Sequence, residues 1–310
     1  MKLHCIPILS ALFTSLVCFS NPATKISDNS PSSGIVIRWN DCEQTIDGFG
    51  IAQAGWAKEL FAFKNRKQVM DKMFGNDGLR LNILRGEIFP HYWENKEDKD
   101  FNLNDDINIE LCDSDFNNKS DDLLRRGQLW LTLEAKNKYH INKLVFSTWS
   151  APAWMKSNGK VSNGKLKPEC YQDFANYLAA FYKAYKSKGI TPYAISPSNE
   201  PGYAAPWNSS LWTADEMGKF ITSNLGPTFQ KENIPAKIIF GENPLWSVVM
   251  PQLKMVSSKD FTDTILQDYP EIKKFNLIAA GHGYSLSPDI MPIKVDKEYL
   301  KTPIIPFDAA

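Results

Sequence analysis

The feature that most restricts this chain is an alternation. Short apolar runs, each long enough only for a strand, are separated by longer segments with helical periodicity. Leu79–Leu84, Lys143–Ser147, Ile190–Ser196, Ala236–Phe240 and Leu277–Ala280 read as strands. These runs suit strands buried on both faces. Arg66–Phe74 reads as a helix, stopped by Gly75-Asn76-Asp77-Gly78. Asp121–Tyr139 is expected to be another, with Leu124, Leu131 and Ala135 at helical spacing. The clearest helix is Pro168–Lys188. Its Tyr171, Phe174, Leu178, Phe181 and Tyr185 form one apolar stripe, and Gly189 supplies the stop. Thr213 and Glu216 have capping-box spacing ahead of Met217, Phe220, Ile221 and Leu225. A further helix is expected near Phe261–Gln267. Strands joined through helices give βαβ units, hence an α/β fold with a parallel sheet.

The ends of the chain and its charge narrow the class. Lys2 and His4 precede an apolar run, Ile6–Phe19, too short to span a bilayer and suited to a signal peptide over residues 1–20. A lipid anchor at Cys18 is disfavoured by bulky Val17. Residues 21–34 are rich in Ser, Pro and Asn and read as a linker. The expected location is outside the cytoplasm, extracellular or periplasmic. Thirty-five basic residues balance 35 acidic ones across 310, which argues against a nucleic-acid partner. Beyond the signal, Cys42, Cys112 and Cys170 are widely separated, and so are His91, His140 and His282. Neither a metal site nor a disulfide framework is indicated. No cofactor is expected.

Chemistry in parallel α/β folds gathers at the C-terminal ends of the strands. Read in order, the expected ends are Gly48-Phe49-Gly50, Arg85 with Glu87, Trp149-Ser150-Ala151-Pro152, Ser198-Asn199-Glu200-Pro201, Glu242-Asn243 and His282-Gly283-Tyr284. They are rich in carboxylates, amides and aromatics, with neither a glycine-rich phosphate cradle nor a serine nucleophile elbow. Glu200 stands out because it follows an apolar strand and is locked by Pro201. A carboxyl shielded from water at such a place can serve as a general acid, as glycoside cleavage requires. The plainer reading of Asn199-Glu200-Pro201 is a turn. Nine Trp residues are equally double-edged, serving as core or as platforms for sugar rings. The long polar stretch from Gly86 to Ser120 reads as a loop, and loops of that length are commonly functional.

Several of these runs together resemble successive motifs of glycoside hydrolase family 30. They are Asp47–Gly50, Leu81–Arg85, Ser147–Lys156, Ile195–Pro201, Leu225–Thr228 and His282–Tyr284. The resemblance implies a retaining hydrolase of β-linked oligo- or polysaccharides or glycolipids. It also implies a (β/α)8 TIM barrel with an attached β-sandwich. Residues 47–310 would be the partial barrel and 35–46 would carry the strand Ile35–Trp39 of the sandwich. Glu200 falls on the family's acid/base and Asn199 on the amide that holds a sugar hydroxyl. Arg85 and Tyr284 fall on groups that brace the nucleophile, while Trp149 and Trp246 match cleft walls; His282 joins them at the expected binding surface. The chain departs from the pattern in one respect. About six strands are legible, and no strand ending in Glu follows Tyr284, so the expectation is an incomplete barrel without a nucleophile, inactive by itself. Glu242 is the tempting substitute but is expected instead to line the cleft. Asp289, Asp296 and Asp308 look solvated. Two alternatives stay open: a carbohydrate-binding barrel without catalysis, and a hydrolase pairing Glu200 with Glu242. Gln53-Ala54-Gly55-Trp56 after the first strand points toward polysaccharide rather than lipid glycoside.

Overall fold

Seven strands lie side by side in the order in which the chain makes them, and every neighbouring pair is parallel. The computed structural model describes residues 40, 46–53, 56–93, 96–97, 127–246, 256–283 and 304–307. The chain divides into two compact units, residues 1–43 and 44–310, and apart from Asn40 the described residues belong to the second. The strands are β1 (Gly50–Ala52), β2 (Ile83–Ile88), β3 (Lys143–Thr148), β4 (Ala194–Ser196), β5 (Lys237–Asn243), β6 (Leu277–His282) and β7 (Ile304–Phe307). Helices α1 (Ala57–Ala62) and α2 (Arg66–Phe74) connect β1 to β2, and α3 (Gln128–Tyr139) precedes β3. Helix α4 (Tyr171–Ser187) links β3 to β4. Helices α5 (Ala214–Phe220) and α6 (Gly226–Lys231) link β4 to β5, and α7 (Ser258–Asp268) links β5 to β6.

Two apolar layers result from the strand pleat. Leu84, Phe146, Ile195, Ile238, Phe240 and Ala279 face the helices and join the large core. Their neighbours Ile83, Val145, Ala194, Ile239, Ile278 and Ala280 face the other way and form a small separate cluster. That is the arrangement of a barrel wall, with helices outside and a packed interior. The amphipathic stripe of α4 supplies much of the outer core. Phe174, Leu178, Phe181 and Tyr185 are buried, and Phe181 meets Phe146 edge-on at 5.1 Å. Truncating Phe181 would cost about 3–5 kcal/mol. The Tyr177 hydroxyl donates to the Phe89 carbonyl, tying α4 to the exit of β2.

Local signals read from the sequence hold for α2, α4 and the capping box. Glu216 N–H donates to Thr213 Oγ1 at 3.1 Å, and Thr213 N–H donates to Glu216 Oε2 at 2.8 Å. The helix continues through a π turn, Ile221–Leu225, into α6. Pro227 sits in the first turn of α6, and the wider turn before it accommodates a residue that lacks an N–H.

Other expectations need correction. The second strand spans Ile83–Ile88, not Leu79–Leu84, because Arg80 turns the chain with φ +54° and leaves Leu79 exposed. Gly86–Ile88 therefore belong to β2 rather than to a loop, and Pro90–Trp93 is a 3-10 turn. β4 is shorter than Ile190–Ser196, and Pro192, which cannot donate to a ladder, lies ahead of it. Gly50 begins β1 and pairs with Ile83, so Gly48 and Phe49 lie at the N-terminal end of the strand, opposite the expected site. A seventh strand follows β6, with Ala279 opposite Ile304 and His282 opposite Phe307. Pro306, opposite Gly281, interrupts its apolar run in the sequence, and among the described residues β7 ends the strand order. The expected strand Ile35–Trp39, Leu124, Tyr284, Asp289, Asp296 and Asp308 lie outside the described residues.

Candidate active site

One turn of the pleat above the inner apolar cluster, the residue types change. Arg85 follows Ile83 by two residues on the same face of β2, Ser147 follows Val145 on β3, and His282 follows Ala280 on β6. All three are almost fully buried. β5 does not keep this alternation. Ile239 faces inward, so simple pleating would turn Gly241 in and Glu242 out. A bulge intervenes: Gly241 opposes Ala280, Asn243 opposes Gly281, and Glu242 is left without a partner position on β6. The backbone is left-handed at both Gly241 (φ +95°) and Glu242 (φ +37°). Glycine is required at 241, since an added Cβ would lie 2.6 Å from the Ala280 carbonyl oxygen and 2.7 Å from Thr262 Oγ1. The extra residue aims the Glu242 carboxylate into the interior.

There it is fully enclosed, at 0% exposure. Arg85 Nη2 donates to Glu242 Oε1 at 2.6 Å and to Asn199 Oδ1 at 2.6 Å. Ser147 Oγ lies 2.6 and 2.8 Å from the two carboxylate oxygens. Burial opposes the charge on Glu242, but Arg85, His282 and Ser147 outweigh it and hold the carboxyl at about 2. On the other side, His282 Nδ1 is 3.1 Å from Glu200 Oε1, and its Nε2 is 3.7 Å from Glu242 Oε1. Burial pushes His282 down, yet its hydrogen bond to Glu200 and the nearby Glu242 carboxylate prevail, and it is raised above its ordinary value. Basic and acidic side chains thus alternate: Arg85, Glu242, His282, Glu200.

Glu200 is held by its backbone as well as its side chain. It adopts φ +47°, an uncommon conformation for a residue with a Cβ, and such strain concentrates at functional sites. Its N–H donates to the Glu242 carbonyl at 2.9 Å, and Asn199 N–H donates to the Thr148 carbonyl at 2.7 Å. Asn243 Oδ1 receives Gly202 N–H at 2.7 Å, fixing the turn beyond Pro201. Lys156 ties the neighbouring loops together. Its buried ammonium donates to the Ser209 carbonyl at 2.6 Å and to Ser150 Oγ at 3.1 Å, and burial lowers it to about 7.

Arg85, Asn199, Glu200 and His282 therefore meet, as the strand ends suggest. Trp149 is half-buried beside them, its ring centroid 5.9 Å from the Arg85 guanidinium carbon. Trp246 is packed rather than open, at 4% exposure, against Gly281. Gln53, taken from the sequence as pointing toward polysaccharide, is also buried, and its amide donates to Thr132 Oγ1 of α3 at 3.2 Å. Ser147 was missing from the sequence-derived set. Its signal was its place two residues beyond Val145, on the same strand face as Arg85 beyond Ile83. Among the described residues no group of three or more His, Cys, Asp or Glu is placed to hold a metal ion, and Cys170 is buried and free.

The chain as a whole has relatives. Residues 46–271 match the model of the glycosyl hydrolase family 30 TIM-barrel domain. The chain belongs to that family. It is 30% identical over 251 residues to putative glucosylceramidase 3 of Caenorhabditis elegans, covering 78% of this chain and 45% of that protein. It is 28% identical over 237 residues to an endo-1,6-β-D-glucanase of Neurospora crassa, covering 71% and 45%. The solved structure of an endo-β1,6-glucanase superposes with a TM-score of 0.64 at 22% identity, covering 84% of this chain and 57% of that one. This family 30 chain spans less than half the length of those two sequence relatives. The likeness to the solved structure concerns the fold, and the parallel strands with their connecting helices are consistent with part of a TIM barrel.

Proposed function

We propose that this chain carries the acid/base machinery of a retaining β-glycosidase. The observation behind the proposal is Glu200, strained, nearly buried and hydrogen-bonded to His282 at the C-terminal end of β4. As an acid it would protonate the leaving glycosidic oxygen. As a base it would then deprotonate the water that releases the sugar. Asn199, braced by Arg85, would hold a sugar hydroxyl, and Trp149 would form a wall of the cleft.

Glu242 is assigned to bracing rather than attack. Both its oxygens are engaged, it is fully buried, and a retaining nucleophile must meet the anomeric carbon directly. The attacking carboxylate would come from outside the described residues. The substrate would be a β-linked glycan, whether polymer or glycolipid. Residues 1–20 would direct export and the strand Ile35–Trp39 would join a β-sandwich.

The test is hydrolysis of a panel comprising β-1,6-glucan, xylan, glucosylceramide and aryl β-glycosides, with calorimetric binding of the matching oligosaccharides. Glu200→Gln is expected to lower turnover about 10²–10⁴-fold with poor leaving groups and far less with activated ones, which need no acid. Product released initially with inverted anomeric configuration, or glycan turnover untouched by Glu200→Gln, would overturn the reading.

A further inference from the structure

We infer that Glu242 is a positioning residue for Glu200, acting through His282: it holds the ring as an imidazolium between the two carboxylates. The inference rests on the acid/base reading of Glu200 and extends it. The geometry supplies the argument. His282 reaches Glu200 with Nδ1 at 3.1 Å and faces Glu242 with Nε2 at 3.7 Å. Glu200 Oε1 can accept from Nδ1–H whether its carboxyl is protonated or ionised, and Nε2–H faces the carboxylate of Glu242. Glu242 is anchored by Arg85 and Ser147, so it is a fixed negative charge rather than a mobile one. The backbone makes the coupling tighter still, because Glu200 N–H donates to the carbonyl of Glu242 itself.

The charged groups facing His282 are Glu200 at the end of β4, Glu242 on β5 and Arg85 on β2. Glu87 stands two residues beyond Arg85 on β2, Ser147 of β3 and Asn199 after β4 are neutral, and the span of β7 contains no titratable residue. The two carboxylates favour the imidazolium and Arg85 opposes it; the direction for His282 is upward.

The consequence is differential stabilisation. When Glu200 gives its proton to the glycosidic oxygen, negative charge grows on an oxygen 3.1 Å from a cation already in place. His282 keeps both its protons throughout. The proton that moves belongs to Glu200: the attacking carboxylate, outside the described residues, bonds the anomeric carbon as the C–O bond to the leaving group breaks, and the electrons of that bond take the proton. Glu242 touches no substrate and sets the charge of the group that does the stabilising.

The decisive measurement is the ring-nitrogen NMR titration of His282, assigned by His282→Gln in the full chain. The wild-type ring is expected to be protonated on both nitrogens at pH 7. In Glu242→Gln its midpoint should fall by at least one pH unit, a tenfold change in proton affinity. A wild-type ring that is neutral at pH 7 overturns the inference without recourse to any variant. A midpoint unmoved in folded Glu242→Gln, checked by circular dichroism, overturns it too. Kinetics separate it from the reading on which it rests. Glu242→Gln should lower kcat at least tenfold for aryl β-glycosides with poor leaving groups, with little change in KM, and should introduce a loss of rate above neutral pH. If the titration behaves as expected but Glu200→Gln leaves hydrolysis unchanged, the acid/base reading fails while the charge on His282 stands. If hydrolysis depends on Glu200 and His282 is neutral, only the present inference fails.

Discussion

The barrel interior holds two adjacent layers built from the same strands and the same faces. The lower one is Ile83, Val145, Ala194, Ile239 and Ile278; the upper one is Arg85, Ser147, Glu242 and His282. Both are equally withdrawn from water, with no member above 5% exposure. Their energetics are opposite in kind. The lower layer stabilises by burying apolar surface, with no direction to satisfy. The upper layer takes four polar groups out of water and recovers that cost only through specific partners, at 2.6–2.8 Å among Arg85, Ser147 and Glu242 and at 3.1 Å from His282 to Glu200. A chain optimised for stability alone would continue the apolar layer upward, so the ionic layer marks where the interior has another task.

The largest expected effect comes from breaking the upper layer on one side. Arg85→Leu leaves Glu242 buried without its cation and should cost about 3–5 kcal/mol in urea denaturation. Ile239→Ala, in the lower layer, should cost about 2–5 kcal/mol by cavity formation. The layers separate in the double replacement Arg85→Leu with Glu242→Met, which should be neutral or stabilising by about 1–4 kcal/mol while abolishing function. If the double variant is as unstable as Arg85→Leu alone, the ionic layer is structural after all.

pH distinguishes the layers next. Glu242 is ionised in the folded chain down to about 2, against an ordinary value of 4.5. Between those values the unfolded chain binds the extra proton, so this contribution to stability is complete above pH 4.5 and is lost as pH falls toward 2. His282, raised in the fold, has the opposite sign. Its contribution is present below 6.5 and is lost as pH rises through the folded value. Glu242→Gln should flatten the acid limb of a plot of stability against pH, whereas Ile239→Ala should shift the whole curve downward. The smallest effect concerns Lys156, whose folded value of about 7 lies below the ordinary 10.5. The unfolded chain then holds more protons between those values, so this group makes stability rise with pH from 7 to 10.5. Lys156→Met should remove that slope in denaturation midpoints measured across the range.

The same division governs what could be read in advance. The capping box at Thr213 and Glu216, the stripe of α4 and the helix Arg66–Phe74 are local patterns, and the fold keeps them. Arg85, Asn199, Glu200 and His282 were legible because each follows a short apolar strand, and parallel strands end on one face. Glu242 was legible as a strand-end residue but not as a buried one, because a single extra residue in β5 reverses its side. Ser147 looked like the end of an apolar run, and its role depends on which carboxylate the neighbouring strand turns toward it. β7 was concealed by Pro306, which interrupts its short apolar run. Trp246 looked like a cleft aromatic and is instead packed against Gly281.

By itself, then, the order of residues determined the repeating strand and helix units, the parallel direction of the sheet and the kinds of side chain collected at its open end. These follow from periodicities of two and of 3.6 residues, which are properties of neighbours in the chain. The tertiary structure decided which of those side chains touch. Arg85 meets Glu242 across 157 positions and Glu200 meets His282 across 82. Such contacts depend on register between strands and on one bulge, and neither leaves a periodic trace in the sequence.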